Sequence, residues 1–499
     1  MFTQKWREYW GLSEDPFTCE DADKDLILTE VDSSAVHWSF DRMYGNPRMP
    51  APAIVFGEKG SGKSALRLMI KRRVDGFNQA HPGEKVFNIE YIDFNPYIEN
   101  FRRAAGVRGD DAKSAGEAVS RWKISDHIDG MLSIGVTKLV DEILASSGKP
   151  AKLAHKQKLS LLLMTALYYY SEKRTGVEAL HRLKKLYGFH SLRSFRRGVI
   201  NCFGSILGAA IALFPFCPKF PFESAKMAQL SYLLGAAVIA AVWGVYFLVK
   251  TSVRAQAMRA GRSVKILPHD TINLANILRG LSPKERREFV LPRGSDAASR
   301  YHLLDQFMGV LDVYGYQGLY VMLDRIDEPS LLSSRVDLMR PFIEKLLDIK
   351  FLQYPKLGLK LFLPIELDEI HRNASPEQLK RMRLDKSNLI SELKWSGQEL
   401  YEIANQRLLS CQKSSGAKHQ LSELFAEEFD FHHLRDALTM MGTPRYAFGF
   451  FSSLFTDYVK DLPNDLPEGD PRWKITPAFF EVVKASWIDR SGVLRRVLN

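Results

Sequence analysis

Cysteine is scarce in this chain. Four thiols in 499 residues, Cys19, Cys202, Cys217 and Cys411, stand far apart, with neither metal-ligand spacing nor a dense disulfide framework. That excludes a disulfide-stapled secreted module and suits a reducing compartment. Acid is missing from residues 181–200 and 250–265, and charge of either sign is missing from 199–216 and 228–249. The opening MFTQKWREYWGLSEDPF lacks the apolar core and small-residue cleavage site of a signal peptide, so none is expected. His432 and His433 have no ligand set at metal spacing and read as surface residues at a helix start.

What is present is otherwise ordinary: 45% hydrophobic and 25% charged residues, the balance of a folded globular chain. The length exceeds what one core usually holds, so two or three structural units are expected. The formal charge is +11, and its distribution decides its meaning. Arg182, Lys184, Lys185, Arg193, Arg196 and Arg197 precede the first uncharged stretch, and Lys250, Arg254, Arg259, Arg262 and Lys265 follow the second. Two apolar segments, each long enough to span a bilayer and bracketed by basic residues, predict a transmembrane helical hairpin, 199–216 and 228–249, joined by the short segment 217–227. The positive-inside rule then puts both long arms in the cytoplasm. The expected location is the inner (cytoplasmic) membrane, multi-pass, with both termini cytoplasmic. The expected partners are anionic lipids of the cytoplasmic leaflet, and protein partners or a homo-oligomer; nucleic acid is not expected, because the basic residues sit beside the membrane segments.

Residues 53–70 read AIVFGEKGSGKSALRLMI: a short apolar strand, a glycine-rich loop, and an apolar helical pattern. Gly57, Glu58, Lys59, Gly60, Ser61, Gly62, Lys63, Ser64 and Ala65 carry the complete G-x-x-x-x-G-K-[ST] pattern in its required strand-to-helix context. Glycines let backbone N–H groups curl around phosphates, a lysine reaches the β and γ oxygens, and a serine hydroxyl ligates magnesium. The expected cofactors are ATP and Mg²⁺. No N-K-x-D motif for reading guanine is evident.

Magnesium needs an anionic partner opposite the serine, at the end of a buried strand. GLYVMLDRIDEP supplies one: five apolar residues, 319–323, run into Asp324, followed by Asp327 and Glu328. Asp324 would hold the metal with Ser64, and Asp327 or Glu328 would polarise the attacking water. If the strand runs on through Ile326, Asp327 becomes the metal residue and Glu328 the base. Arg445, in GTPR, is a candidate for contacting the γ-phosphate; Arg407 and Arg372 are weaker candidates.

Further strands are expected at 86–94 and 359–364, with helical patterns between, giving an α/β fold: a P-loop NTPase three-layer sandwich around a parallel core sheet. The expected divisions are an N-terminal extension (1–50), the first part of the core (51–145), a helical insertion with the hairpin (146–270), the second part of the core (271–370) and a mainly helical C-terminal subdomain (371–499).

A P-loop separated by a membrane hairpin from the strand that ends in Asp324 resembles the KAP family of membrane P-loop NTPases. WSGQELYEIANQRL and GTPR also resemble the helical part of AAA+ and STAND-type ATPases. The resemblance implies a cytoplasmic nucleotide domain, with Lys63, Ser64 and Asp324 at its phosphate and magnesium site. The chain departs from the family's paired acids with Asp324-Arg325-Ile326-Asp327-Glu328, and residues 363–366 lack the usual sensor Asn or Thr. The function this implies is a membrane-anchored ATP hydrolase acting as a nucleotide-driven switch in signalling or anti-phage defence. The alternative is a nucleotide-gated scaffold or oligomeric pore with little hydrolysis.

Overall fold

The computed structural model describes residues 4–491 except 19–20, 26, 28–36, 110, 147–149, 190–191, 215–224, 269–270, 385–387, 414–417, 461 and 464–465. In chain order the principal elements are helix α1 (Gln4–Tyr9), strand β1 (Ala53–Gly57), helix α2 (Lys63–Ala80), strand β2 (Lys85–Tyr91), helices α3 (Ile124–Ala145), α4 (His155–Tyr168), α5 (Leu192–Leu213), α6 (Ala225–Ser263) and α7 (Ala297–Leu311), strands β3 (Tyr316–Leu323), β4 (Leu357–Pro364) and β5 (Leu389–Ile390), and helices α8 (Gly397–Ser410), α9 (Phe431–Met441), α10 (Pro444–Lys460) and α11 (Pro477–Ser491). The chain divides into two compact units, Met1–Ile92 with Gly318–Asn499, and Asp93–Gln317. The second takes in residues 146–270 together with helices on both sides of them.

The first unit is built on a five-stranded parallel sheet in the order β2-β3-β4-β1-β5. β1 and β4 are buried along their whole length, and β3 along its last six residues, as strands covered on both faces must be. One face shows the period-2 alternation directly: Ala53 and Val55 of β1, Tyr320 and Met322 of β3 and Phe362 of β4 pack with Leu66, Ile70 and Val74 of α2. β4 lies between β1 and β3, with Gly57 opposite Pro364 and Leu323 opposite Leu361, so the carboxyl ends of the three strands open on the same edge. In parallel α/β sheets that edge is where ligands bind. The α/β class and the parallel core sheet are as expected from the sequence; β5, two residues long, was too short to be read there.

The same unit holds a helical core in which the N-terminus takes part. Trp6, Trp10 and Phe17 are buried among residues of α8, α9 and α10. Phe17 stacks on Phe451 at 5.1 Å and Trp6 lies 5.4 Å from Phe455. Burying aromatics of this size contributes roughly 2–3 kcal/mol each. Helix α1 and the segment to Phe17 are thereby fixed beside helices α8 to α10.

The second unit is helical. Its centre is a buried ion pair: Arg300 of α7 donates to Asp129 of α3 through Nε at 3.1 Å and Nη2 at 3.0 Å, and Tyr168 of α4 donates to the same carboxylate at 2.8 Å. Arg300 Nη2 also donates to the carbonyl of Ser263, the last residue of α6, at 2.7 Å. The long helix is thus fastened at its C-terminal end by a network in which both charges are fully buried and paired.

Above that anchor, α6 leaves its apolar side chains uncovered: Leu233, Leu234, Trp243, Val245, Phe247 and Leu248 are all exposed. Within it, Gln229–Ser263 is long and apolar enough to cross a membrane, with 6% of the most apolar window buried. The expected pair of spans is corrected here. Among the described residues one helix qualifies, and the apolar part of α5, Val199–Leu213, is shorter. At 1.5 Å per residue it reaches about 22 Å, against about 30 Å of hydrocarbon. The reason is in the sequence: Pro215 and Pro218 follow, and helices end at or before such positions. Most of the tip expected at 217–227 lies outside the described residues. The two helices pack closely where small residues permit it: a Cβ at Gly204 would lie 2.8 Å from Val242, and one at Gly208 would lie 2.6 Å from Ile239.

Candidate functional site

β1 ends at Gly57 and α2 begins at Lys63, so the turn between them must reverse within five residues. Gly60 (φ 89°) and Gly62 (φ 92°) supply left-handed backbone that other residues adopt only under strain. Gly60 is also closely approached, since a Cβ there would lie 2.6 Å from Cβ of Arg445. Inside the loop, Ser61 N–H donates to the Glu58 carbonyl at 3.1 Å. Gly62 caps α2 without a side-chain partner, leaving the first-turn N–H groups to face the cavity, as an anion-binding helix start requires. Lys63 Nζ turns back over the loop, donating to the carbonyls of Gly57 at 2.7 Å and Glu58 at 2.9 Å. Burial pushes its pKa down, against the pull of Asp324, Asp327 and Glu366. Lys59, exposed, and Ala65, half-buried, line the same cavity.

The loop is held from the far side of the sequence. Trp395 Nε1 donates to the Ser61 carbonyl at 2.8 Å, and Arg445 N–H donates to the Gly60 carbonyl at 3.3 Å. Sequence reasoning missed Trp395. The capping box of Ser396 and Glu399 marks the helix start beside it, but nothing in the sequence aims its indole at the loop.

Opposite the loop, Ser64 Oγ donates to Asp324 Oδ2 at 2.7 Å. Asp324 is 2% exposed and directly follows the last residue of β3. Its other oxygen accepts the N–H of Arg325 at 2.9 Å, a residue held at φ 61°. Of the two registers open in the sequence, this contact singles out Asp324 as the carboxylate beside Ser64. Ile326 is buried, but past the strand rather than in it. Asp327, half-buried, and Glu328, more exposed, line the same cavity. Partial burial raises the Glu328 carboxyl above the usual range, opposed by Arg325, whose Nε lies 3.5 Å from it.

The three arginines part company. Arg445, in the first turn of α10, lies against Gly60 and lines the cavity. Arg407 lines the same cavity but is buried and held by the N-terminal segment: Nε donates to the Pro16 carbonyl at 2.8 Å, Nη1 to Asp25 at 2.5 Å, and its face lies on Phe448. Arg372 is exposed and pairs with Asp368. The N–H of His432 donates to Asp430, the N-cap of α9, at 2.8 Å, and His433 faces Glu481 at 3.5 Å.

Loop and carboxylates open into one cavity of about 980 Å³ that continues under the helical part, past Phe17, Trp395, Phe448 and Trp487. That is the upper range of small-molecule sites. The donor set fits magnesium brought in on a phosphate: one hydroxyl and one carboxylate in contact, with phosphate and water left to complete the shell. Among the described residues no group of three or more His, Cys, Asp or Glu forms a self-sufficient metal cage. No known protein family, curated protein or solved structure matches this chain.

Proposed function

We propose that the chain is a membrane-anchored, magnesium-dependent ATPase that works as a nucleotide-driven conformational switch, of the kind used in signalling or anti-phage defence. The observation that carries this reading is the contact of Ser64 with Asp324, at the carboxyl edge of a parallel sheet and beside Lys63 on a glycine loop. A relation to KAP-type and AAA+/STAND-type ATPases is part of the same proposal.

In this reading Ser64 and Asp324 hold the metal, which supplies charge neutralisation on the phosphate oxygens. Lys63 exchanges the loop carbonyls for the β and γ oxygens. The N–H groups of the loop and of the first turn of α2 orient the phosphates without reorganisation. Glu328, whose carboxyl is shifted toward holding a proton, or Asp327 beside it, accepts the proton of the attacking water. Arg445 brings a fixed positive charge from the helical part to the loop, so its contact with phosphate is what nucleotide state would make or break. Residues 363–366 offer no Asn or Thr at the end of β4, which favours slow turnover.

The uncovered apolar surface of α6 supports membrane anchorage, and the basic residues at its C-terminal end support a cytoplasmic site for the ATPase core. The test joins both parts. The expressed protein should resist alkaline carbonate extraction, yield to detergent, and then hydrolyse ATP only with magnesium. Carbonate-soluble protein, or detergent-purified protein without turnover, rejects the reading.

A second reading, a nucleotide-gated scaffold or pore, draws on the small residues that α6 leaves open: Ala236, Ala237, Ala240 and Gly244 are exposed. Such faces permit close helix association. Disulfide cross-linking between protomers through a cysteine at Ala240, in protein impaired in hydrolysis, favours this reading.

A further inference from the structure

Arg67, one turn into α2 beyond Ser64, is fully buried among three carboxylates. Its Nη2 donates to Asp23 at 2.6 Å, its Nη1 pairs with Glu90 of β2, and its Nε reaches Asp324 Oδ2 at 3.3 Å. That last oxygen is the one that accepts the Ser64 hydroxyl. A guanidinium does not lose its charge in a protein, and here it stands beside the anion that a magnesium ion needs. The longest of its three contacts is the one to Asp324, because Asp23 and Glu90 take its two terminal nitrogens.

Asp23 belongs to the short turn Ala22–Lys24, which is started by Asp21. Its second oxygen pairs with Arg325 Nη2, which also donates to Asp21 at 3.1 Å. One carboxylate from the N-terminal segment therefore bridges a cation on α2 and a cation in the turn that follows Asp324. That turn carries Asp327 and Glu328.

We propose that Asp23 is a positioning residue for the magnesium end of this site, acting through Arg67: it takes Nη2, so that only Nε reaches Asp324, at 3.3 Å, and Oδ2 stays available to the metal. Without the Asp23 carboxylate, the buried guanidinium is left with Glu90 and Asp324 as its partners, and its stronger hold on Asp324 competes with magnesium for one oxygen. The proposal rests on the nucleotide-site reading above.

The experiment titrates magnesium chloride against full-length protein in detergent at fixed ADP, with binding measured by calorimetry. In Asp23→Asn the magnesium concentration for half-saturation rises about tenfold, while ADP binding without metal is unchanged. Asp23→Glu recovers most of the shift, and Asp23→Asn combined with Arg67→Gln returns the midpoint close to wild type. A midpoint that stays put in Asp23→Asn overturns the proposal, as does a shift of equal size in the Arg67→Gln background. Wild-type protein that binds no nucleotide at any magnesium concentration overturns the nucleotide site itself; wild-type binding with an unmoved Asp23→Asn midpoint overturns this inference alone.

Discussion

Ser64 Oγ and Asp324 Oδ2 meet at 2.7 Å although 260 positions separate them in the chain. The bond exists because α2 starts where β1 ends, β3 ends one strand away, and β4 between them keeps the two edges level. Ser64→Ala and Asp324→Asn each remove one side of it. Both should lower turnover by on the order of 100-fold or more and raise the magnesium requirement, leaving the sheet intact. Steady-state kinetics at varied magnesium checks this: with circular dichroism unchanged, excess metal should recover part of the loss in each variant, and an unmoved magnesium midpoint contradicts it.

Two glycines of the same loop-and-helix segment should behave oppositely. At Gly60 an alanine must accept φ 89° and meet Arg445, so Gly60→Ala should weaken nucleotide binding at least tenfold through strain of about 1–2 kcal/mol. At Gly76, exposed in α2 with nothing within 4 Å of an added methyl, alanine should stabilise the fold by about 0.5–1 kcal/mol. Thermal melts and nucleotide titrations on the two variants separate these effects.

Arg445 touches the loop in two ways, and mutation divides them. Its backbone N–H holds the Gly60 carbonyl in any variant, whereas its charge is lost in Arg445→Ala. The expected result is a fall in kcat on the order of 100-fold with KM little changed. Arg445→Lys should restore part of it, since a lysine keeps the charge without the planar fork. A rise in KM at constant kcat would mean that the arginine serves ground-state binding instead.

Asp126, in the first turn of α3, is 1% exposed and its carboxyl is pushed up to about 6, by burial first and by neighbouring Asp129 second, while the N–H of Lys123 at 2.8 Å pulls the other way. Its pKa is higher folded than unfolded, so its contribution to stability is complete below about pH 4 and is lost as pH rises through about 6. Asp126→Asn keeps the acceptor for Lys123 and removes the titration. At pH 7 it should therefore be more stable than wild type by roughly 2–3 kcal/mol, and the difference should vanish near pH 4. Denaturant unfolding followed by the fluorescence of buried Trp122 reads it.

Local chemistry was legible in the sequence and distant chemistry was not. The loop from Gly57 to Ala65 is a contiguous motif, and strands β1, β3 and β4 are short apolar runs with clear ends, so both could be placed from the residues alone. The choice between Asp324 and Asp327 could not, because buried Ile326 reads equally well as a strand residue or as a turn residue packed inward. Trp395, Asp23 and Arg67 were invisible for another reason: each matters through a partner far away in the chain, and neither their spacing nor their type reveals that partner. The hairpin was overread because uncharged length was counted across Pro215, where the helix has already ended at Leu213.

The most direct test of the account is magnesium-dependent ATP hydrolysis by the detergent-purified protein, wild type beside Lys63→Ala. Lys63 reaches phosphate in this account and holds only two loop carbonyls otherwise, so its loss should abolish turnover while the fold survives. Equal hydrolysis by the two proteins, or none by wild type, contradicts it.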